Sequence, residues 1–172
     1  MKDTGKLSLT ASGEREIVMT RTFDARRELL FDAWTKPELM KRWLYGPEDW
    51  PLMTCEIDLK VGGALRLVWH HRDGKDMGLG GRYREVTPPD RLVWTEFFDE
   101  DWTGGETLVT TVFTEHAGKT TIMMTVLYSS RAARDAVLKT PMGEGMAQSY
   151  DRLSGLLASG LAREGSQGAA KA

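Results

Sequence analysis

The sequence has a single cysteine, Cys55, among its 172 residues. One cysteine excludes an internal disulfide bond and a zinc site built from several cysteines. No apolar run approaches the roughly 20 residues that a membrane-spanning helix needs, and the polar residues 1–13 lack the apolar core of a signal peptide. The net charge of −2 provides no general attraction to nucleic acid or to an anionic membrane. Together these absences favour a cytoplasmic protein that has neither nucleic acid nor a membrane as its partner.

Recognised catalytic and cofactor motifs are also missing from the sequence. It contains no G-x-S-x-G nucleophile motif, no P-loop and no dinucleotide-binding glycine motif. Cys55 and the histidines show no metal-ligand spacing, and the neighbours His70 and His71 would point to opposite faces of a strand. The sequence therefore predicts no metal and no cofactor, and it favours a binding protein over an enzyme.

The chain is rich in tryptophan, with 6 residues, and in methionine, with 9. Both residue types suit a soft and aromatic interior. The length corresponds to one domain that is large enough for a hydrophobic core. The pattern predicts a disordered lead at residues 1–13, one domain at residues 14–161 and a flexible tail at residues 162–172. A monomer or a weak homodimer is expected.

The apolar pattern predicts mostly strands up to about residue 128. The first strand is predicted at Glu16–Phe23. Two short helices follow it; Asp24 caps the first, and a capping box with Thr35 at the N-cap and Glu38 three residues later starts the second. Six further strands, separated by turn signals such as Asp73-Gly74, are predicted at residues 53–59, 64–71, 78–86, 91–98, 106–114 and 119–128. Consecutive strands joined by short turns favour an antiparallel meander with one face left to be covered.

A long helix predicted near the C-terminus is the element best suited to cover that face. It spans residues 140–161, with Thr140 as N-cap, Pro141 in the first turn and Gly160 as a stop signal. Apolar residues recur along it at steps of three and four, which places them in one stripe: Met142, Met146, Tyr150, Leu153, Leu157 and Leu161. A shorter helix, capped by Ser130, is predicted at residues 131–139. The fold class predicted from this order is α+β, with an antiparallel sheet packed against the last helix.

Several short motifs resemble one known family. They are, in chain order, Arg21-Thr22-Phe23-Asp24-Ala25, Trp34-Thr35-Lys36-Pro37-Glu38, Asp58-Leu59-Lys60-Val61-Gly62-Gly63, Gly81-Arg82-Tyr83-Arg84-Glu85-Val86, Pro88-Pro89-Asp90-Arg91-Leu92 and Tyr150-Asp151-Arg152-Leu153. Together they resemble the heat-shock-protein-90 ATPase activator homologue-like family of the SRPBCC (START-like, helix-grip) superfamily. The resemblance, which covers about residues 14–158, implies a curved antiparallel sheet wrapped around a long C-terminal helix, with a cavity between them. It implies no catalytic residues, because family members bind varied hydrophobic ligands or proteins and share no catalytic motif.

A ligand-binding cavity between sheet and helix is therefore the first hypothesis for a site. Its predicted lining combines the helix stripe with inward-facing residues of the strands: Trp43, Leu67, Trp69, His71, Tyr83, Trp94, Met123, Met146, Tyr150 and Leu153. Methionine and aromatic side chains suit an adaptable pocket for a small hydrophobic or amphipathic ligand. The alternative is a solid core built from the same residues, because an apolar helix stripe usually packs into a core.

Several polar and aromatic residues have both a structural and a functional interpretation. His71 is either a general acid or base in the cavity or a hydrogen-bonded histidine in the core or at the rim. Arg21 meets an anionic ligand head group, forms an internal ion pair, or forms a salt bridge at the edge of the sheet. Trp50 and Trp102 suit a pocket mouth or an interface, and the acidic loop 99–101 beside Trp102 is either a docking tip or a solvated hairpin end.

Three functions are compatible with these observations. The first is non-enzymatic binding of a small apolar or amphipathic ligand. The second is interaction with a chaperone, a partner that the family resemblance implies. The third is a cyclase- or hydrolase-like enzyme, which requires His71 or a carboxylate such as Glu56 or Glu96 to face the cavity with a shifted pKa.

Overall fold

The computed structural model describes residues 5–160. The strands are β1 (Ser8–Ser12), β2 (Glu16–Phe23), β3 (Leu52–Ile57), β4 (Ala64–His70), β5 (Asp76–Thr87), β6 (Arg91–Phe98), β7 (Thr107–His116) and β8 (Lys119–Leu127). The helices are α1 (Arg27–Thr35), α2 (Pro37–Met40), α3 (Arg131–Leu138) and α4 (Met142–Ser159). None of the helices in this part of the chain combines the length and apolar character needed to cross a membrane.

One antiparallel sheet contains all eight strands, in the order β1-β2-β8-β7-β6-β5-β4-β3. Strands β3 to β8 form a meander in which each strand pairs with the next one along the chain. Strand β2 pairs with β8, which places Ile17 opposite Val126. The sheet is curved and does not close into a barrel. The predicted α+β helix-grip architecture is confirmed.

Alternating burial along the strands decides which face of the sheet is inside. In β7, Thr107, Val109, Thr111 and Phe113 are buried, and the residues between them are half-buried. Strand β2 alternates in the same way over its whole length. Successive side chains of a strand point to opposite faces, so this period of two is what a sheet covered on one face requires.

Strand β1 corrects the predicted disordered lead. It pairs antiparallel with β2, with Ser8 opposite Thr20 and Ser12 opposite Glu16. The order of this polar segment comes from hydrogen bonds to the neighbouring strand rather than from an apolar face, so the sequence pattern did not indicate it. Residues 1–4 of the lead and the predicted tail at residues 162–172 lie outside the described residues. Because of β1, the two short helices follow the second strand and not the first.

The two short helices form as predicted, but their caps differ from the prediction. Helix α1 begins without a capping side chain, so Asp24 does not cap it. Thr35 is the last residue of α1, and its hydroxyl donates a hydrogen bond to the carbonyl of Phe31 at 2.8 Å. Because this hydroxyl bonds within the preceding helix, α2 begins at Pro37 without the predicted capping box.

Helix α4 begins two residues later than predicted. Thr140 precedes its N-terminus, where the threonine hydroxyl accepts a hydrogen bond from the backbone N–H of Met142 at 3.3 Å. The helix ends before Gly160, whose φ of 82° is the left-handed conformation that glycine adopts most easily. The predicted stop at Gly160 is confirmed. The predicted cap of α3 is also confirmed, since the Ser130 hydroxyl accepts from the N–H of Ala133 at 3.0 Å.

An aromatic cluster fills the space beneath the middle of α4. Tyr150 is fully buried there, and three ring centroids surround its own: Phe23 at 5.7 Å, Trp34 at 5.8 Å and Trp43 at 6.0 Å. The pairs are tilted or edge-to-face, arrangements that add to the gain from apolar burial. Leu153, one turn further along α4, is also buried. The solid part of the core therefore lies between α1, α2, β2 and the middle of α4.

Candidate functional site

A cavity lies between the inner face of the sheet and the first half of α4. It has a volume of ≈ 490 Å³ and is open to solvent on one side. Its sheet wall is almost wholly apolar, formed by Leu65, Leu67, Trp69, Leu79, Tyr83, Trp94, Val109, Met124 and Val126. The helix wall consists of Met142, Gly145, Met146 and Ser149. The space between sheet and helix is thus filled in one half and hollow in the other.

Four exposed lining residues mark the mouth of the cavity: Pro47, Met77, Trp102 and Pro141. They belong to the loop after α2, the start of β5, the loop between β6 and β7, and the residue before α4. The ring centroid of Trp102 lies 5.0 Å from that of Phe98, another lining residue. Trp102 therefore lies at a pocket mouth, which is one of its two predicted placements.

The loop after α2 is held against α4 by Arg152. The guanidinium donates to the carbonyl of Tyr45 and lies 3.8 Å from the centroid of the Tyr45 ring. The next residue is Gly46, where a Cβ atom would lie 3.0 Å from the Cα of Gly145. A side chain at residue 46 would therefore push the loop away from the helix. These contacts fix one edge of the mouth.

Six of the predicted site residues line the cavity: Trp43, Leu67, Trp69, Tyr83, Trp94 and Met146. Two of them also use their polar atoms to hold the framework together. The indole N–H of Trp43 donates to the carbonyl of Ala33 at 3.1 Å, and that of Trp69 donates to the carbonyl of Leu44 at 2.8 Å. Their rings are therefore fixed in place. That these six residues contact a ligand stays a prediction.

The inward placement of Met123 is wrong. Its side chain is 46% exposed and lies on the outer face of β8, while its neighbours Ile122 and Met124 are buried. Met124 lines the cavity in its place. Two consecutive methionines leave the sequence pattern ambiguous by one residue, and a shift of one residue exchanges the two faces of a strand.

Tyr150 and Leu153 lie in the solid core and do not line the cavity. The apolar stripe of α4 continues from the cavity wall into the aromatic cluster, so its first residues and its middle residues have different surroundings. The hydroxyl of Tyr150 has no hydrogen-bond partner within residues 5–160. Burial raises the pKa of this phenol, which is consistent with a ring packed on all sides.

His71 lies behind the mouth and is not part of the cavity wall. Its Nδ1 lies 2.7 Å from a carboxylate oxygen of Asp73, and its Nε2 lies 3.0 Å from one of Asp49. The hydrogen bond to Asp73, with a further one to Asp49, raises the pKa of the imidazole. Trp50, which lines the cavity, packs on the histidine with ring centroids 4.7 Å apart. His71 is therefore the hydrogen-bonded rim histidine of the two alternatives.

Arg21 forms an ion pair within the protein, but not at an edge of the sheet as one interpretation had it, because β2 lies between β1 and β8. Its Nη1 lies 2.7 Å from a carboxylate oxygen of Asp151, and its guanidinium lies over the ring of Phe23. The pair ties β2 to α4 on the filled side of the helix. Arg21 does not line the cavity.

Glu96 is a charged residue in the cavity wall. It follows Trp94 by two positions on β6, so both side chains face inward. Its Oε2 accepts a hydrogen bond from the indole N–H of Trp94 at 2.9 Å. Burial raises the pKa of the Glu96 carboxyl, and the bond from Trp94 offsets only part of that rise. Glu96 therefore faces the cavity and has a shifted pKa, the two properties that the enzyme hypothesis requires of an acid or base.

Tyr128, directly after β8, is a lining residue that the sequence analysis did not single out. Burial raises the pKa of its phenol, and the negative charge of Glu96 raises it further, so the two groups lie within electrostatic range of each other. Continuing the alternation of Ile122, Met124 and Val126 would have found Tyr128, but the misplaced Met123 concealed that pattern.

The lining gives the cavity a simple chemical character. Glu96 is the only acidic or basic side chain among the lining residues that the structure describes. Within the described part of the chain, no group of three or more His, Cys, Asp or Glu side chains is arranged to hold a metal ion. The cavity can therefore enclose an apolar molecule and offer it the Glu96 carboxyl group beside several neutral hydroxyl-bearing side chains.

A family model with the description "Activator of Hsp90 ATPase homolog 1-like protein" matches residues 24–158. The matched range includes both short helices, strands β3 to β8 and nearly all of α4. It therefore covers most of the elements that form the cavity. Among curated proteins, none matches the chain.

Several solved structures are similar to the chain. A Rhodobacter sphaeroides protein is 35% identical, with a TM-score of 0.86, and the match covers 90% of this chain and 99% of that one. A Nitrosomonas europaea protein is 21% identical, with a TM-score of 0.76 and coverage of 88% and 99%. An AHSA1 protein from Silicibacter pomeroyi is 22% identical, with a TM-score of 0.66 and coverage of 83% and 97%. At their lower identities, the last two show a shared fold alone.

Proposed function

This chain belongs to the Activator of Hsp90 ATPase homolog 1-like family of the SRPBCC superfamily, and we propose that it binds a small apolar or amphipathic ligand in the cavity beneath α4. The cavity is the observation that carries the proposal. Its volume of ≈ 490 Å³ falls within the range of roughly 300–1,000 Å³ that small-molecule pockets occupy. Its methionine and aromatic walls adapt to a range of ligand shapes.

Affinity would come mainly from removing apolar surface from water, at about 25 cal/mol per Å². The cost of ordering the site is small, because its framework is already fixed. The indole donors of Trp43 and Trp69 are bonded to backbone carbonyls, and Arg152 holds the loop that carries Tyr45. A preformed site loses less conformational entropy on binding than a site that must fold around its ligand.

A pair of neighbouring methionines provides a matched test of this proposal. Met124→Trp places a larger ring in the cavity, whereas Met123→Trp places the same ring on the outer face of β8. Native mass spectrometry of each purified protein would detect a retained ligand, and a thermal-shift screen with apolar small molecules would detect added ones. Near-UV circular dichroism would confirm that both variants are folded.

We expect the wild-type protein and Met123→Trp to bind the same compounds, and Met124→Trp to lose them. The physical reason is that only the residue 124 side chain competes with a ligand for the cavity. If no compound stabilises the wild-type protein and its native mass is that of the chain alone, the proposal fails. It also fails if Met124→Trp binds as the wild-type protein does.

We propose acid–base catalysis as a second candidate function, which the position of Glu96 favours. A carboxyl group whose pKa is raised by an apolar surrounding suits proton transfer to or from a bound substrate near neutral pH. The test is to incubate compounds that bind the protein and to follow them by mass spectrometry. Turnover by the wild-type protein and by a Glu56→Gln control, but not by Glu96→Gln, would support an enzyme. Unchanged compounds throughout would count against it.

A chaperone partner stays a prediction that rests on the family description. That description names an activator of the Hsp90 ATPase. The direct experiment is a pull-down with an Hsp90-type chaperone, combined with its ATPase rate in the presence of this protein. A rate that does not respond at any concentration would count strongly against such a role.

A further inference from the structure

The cavity lining contains one carboxyl group and no basic side chain among the residues that the structure describes. Its lining residues include Glu96 but no lysine, arginine or histidine. Of the two carboxylate oxygens, Oε2 accepts the bond from Trp94, which is the one hydrogen bond that acts on the pKa of this carboxyl in the described part of the chain. Glu96 is half-buried in the wall of an open cavity. The carboxylate therefore lies where it can meet a group that enters from the mouth.

The aromatic lining suits a positive group in the same position. All six tryptophans of the chain line the cavity: Trp34, Trp43, Trp50, Trp69, Trp94 and Trp102. Tyr45, Tyr83, Phe98 and Tyr128 line it as well. The faces of aromatic rings carry partial negative charge and attract cations, most strongly in sites shielded from water. Rings and carboxylate thus favour the same sign of charge in a ligand.

An anionic ligand would find no positively charged partner among the described lining residues. A carboxylate or phosphate head group placed near Glu96 would have no cation to balance either charge, because Arg21 is paired with Asp151 outside the cavity. Two like charges in a partly desolvated site repel each other strongly. A neutral alcohol would gain a hydrogen bond to Glu96 but no charge attraction. The three head groups should therefore differ in affinity.

We propose that the cavity selects apolar molecules that carry a protonated amine, with Glu96 as the counter-charge for the ammonium group. This rests on the proposed function, since it names the ligand class of the same cavity. The Oε1 atom accepts a hydrogen bond from the ammonium, the nearby Tyr128 hydroxyl provides a second polar contact, and the rings enclose the alkyl or aromatic body. A hydrogen bond between charged groups is stronger than one between neutral groups, which gives amines their advantage.

Decylamine, decanol and decanoate test this proposal, because they share one chain length and differ in the head group. Each is titrated below its micelle concentration into the wild-type protein, into Glu96→Gln and into Glu56→Gln, with isothermal calorimetry as the readout. Glu56 is an exposed carboxylate outside the cavity, so Glu56→Gln is matched in charge. The amide that replaces the carboxylate in Glu96→Gln retains an acceptor for the indole N–H of Trp94, and near-UV circular dichroism confirms that the variant is folded.

We expect wild-type protein to bind decylamine about 10- to 100-fold more tightly than decanol, and decanoate most weakly. In Glu96→Gln this advantage of the amine should disappear while decanol affinity changes only a few-fold. Glu56→Gln should behave as the wild-type protein does.

Two different outcomes would overturn the proposal, and they are distinguishable. If decanol binds but decylamine has no advantage, or keeps its advantage in Glu96→Gln, the amine selectivity is wrong and the apolar site stands. If none of the three compounds binds the wild-type protein, and a wider apolar screen also fails, the ligand-binding function itself is wrong.

Discussion

The two halves of the space beneath α4 share one helix face but differ in what lies against it. In the filled half, Tyr150 is fully buried among the rings of the aromatic cluster. In the hollow half, Met146 faces a cavity of ≈ 490 Å³. Both residues belong to one apolar stripe on one helix and lie only about one turn apart. The stripe on α4 therefore does not determine which half is filled.

The difference comes from what lies opposite the helix. Helix α1 brings Trp34 against Tyr150, and the segment after the short helix α2 places Trp43 there as well. Met146, in contrast, borders a cavity whose lining includes Trp94 and Glu96 of strand β6. A core needs close packing from both sides. Where packing from the opposite side is incomplete, the same type of helix face borders a cavity.

The largest expected effect comes from truncating one residue in each half. Tyr150→Ala should cost about 3–5 kcal/mol of unfolding free energy, because it leaves a void among fixed rings. Met146→Ala should cost about 1 kcal/mol, because its side chain is only half-buried and already borders a cavity. Urea denaturation of both variants measures the difference.

Tyr150→Phe is the control for the hydroxyl group in this comparison. That hydroxyl lacks a hydrogen-bond partner in the described part of the chain, so its removal should cost less than about 1 kcal/mol or even stabilise the protein. Equal costs for Tyr150→Ala and Met146→Ala would contradict the division into a filled and a hollow half.

The filled half and the sheet follow from the sequence more directly than the hollow half does. The period of two in β2 and β7, and the period of 3.6 in α4, reflect one-sided burial that any compact fold requires. Strand β1 was missed because its order depends on backbone pairing with β2 and not on apolar side chains. The caps at Asp24 and Thr35 were also predicted wrongly, because a local motif does not show which partner a polar side chain selects. The Thr35 hydroxyl, for example, bonds to the carbonyl of Phe31 instead.

The site depends on details that sequence periodicity does not contain. One ambiguous residue in β8 placed Met123 inward and concealed Tyr128. A register shift next to residue 53 in β3 similarly turns Met53 outward, although it alternates with Cys55 in the sequence. His71 was assigned to the same side of the chain as Trp69, but it does not line the cavity. Its partners Asp49 and Asp73 lie in loops, whose positions the strand pattern does not predict. The sequence offered Glu56 and Glu96 equally as carboxylates that could face the cavity, and only the structure distinguishes them, with Glu96 in the lining and Glu56 outside it.

The electrostatic cost of the hollow half should appear as a pH dependence of stability. The folded state raises the pKa of Glu96 above its ordinary 4.5, so the unfolded chain releases this proton first as the pH increases. Stability therefore falls as the pH rises from about 4.5 through the folded pKa. Glu96→Gln lacks this loss, so its melting temperature relative to wild type should increase as the pH rises above about 4.5.

Glu56→Gln removes an exposed carboxylate and provides the control for the change in net charge. Its melting temperature should follow that of the wild-type protein across the same pH range. If Glu96→Gln also followed the wild-type curve, Glu96 would be as well solvated as a surface residue. The hollow half would then contain no destabilising buried carboxylate, and the two halves would not differ electrostatically.

The smallest expected effect lies at the rim of the hollow half, at His71. Its raised pKa, due first to Asp73 and then to Asp49, means that protonated His71 stabilises the folded state. This contribution is complete below the unfolded pKa of about 6.5 and is lost as the pH rises through the folded value. The melting temperature of wild type relative to His71→Gln should therefore decline as the pH rises above about 6.5. The decline should be small because all three side chains reach solvent, and Asp73→Asn should remove most of it. Parallel curves for wild type and His71→Gln would show that Trp50 is held at the mouth by packing rather than by the charged pair.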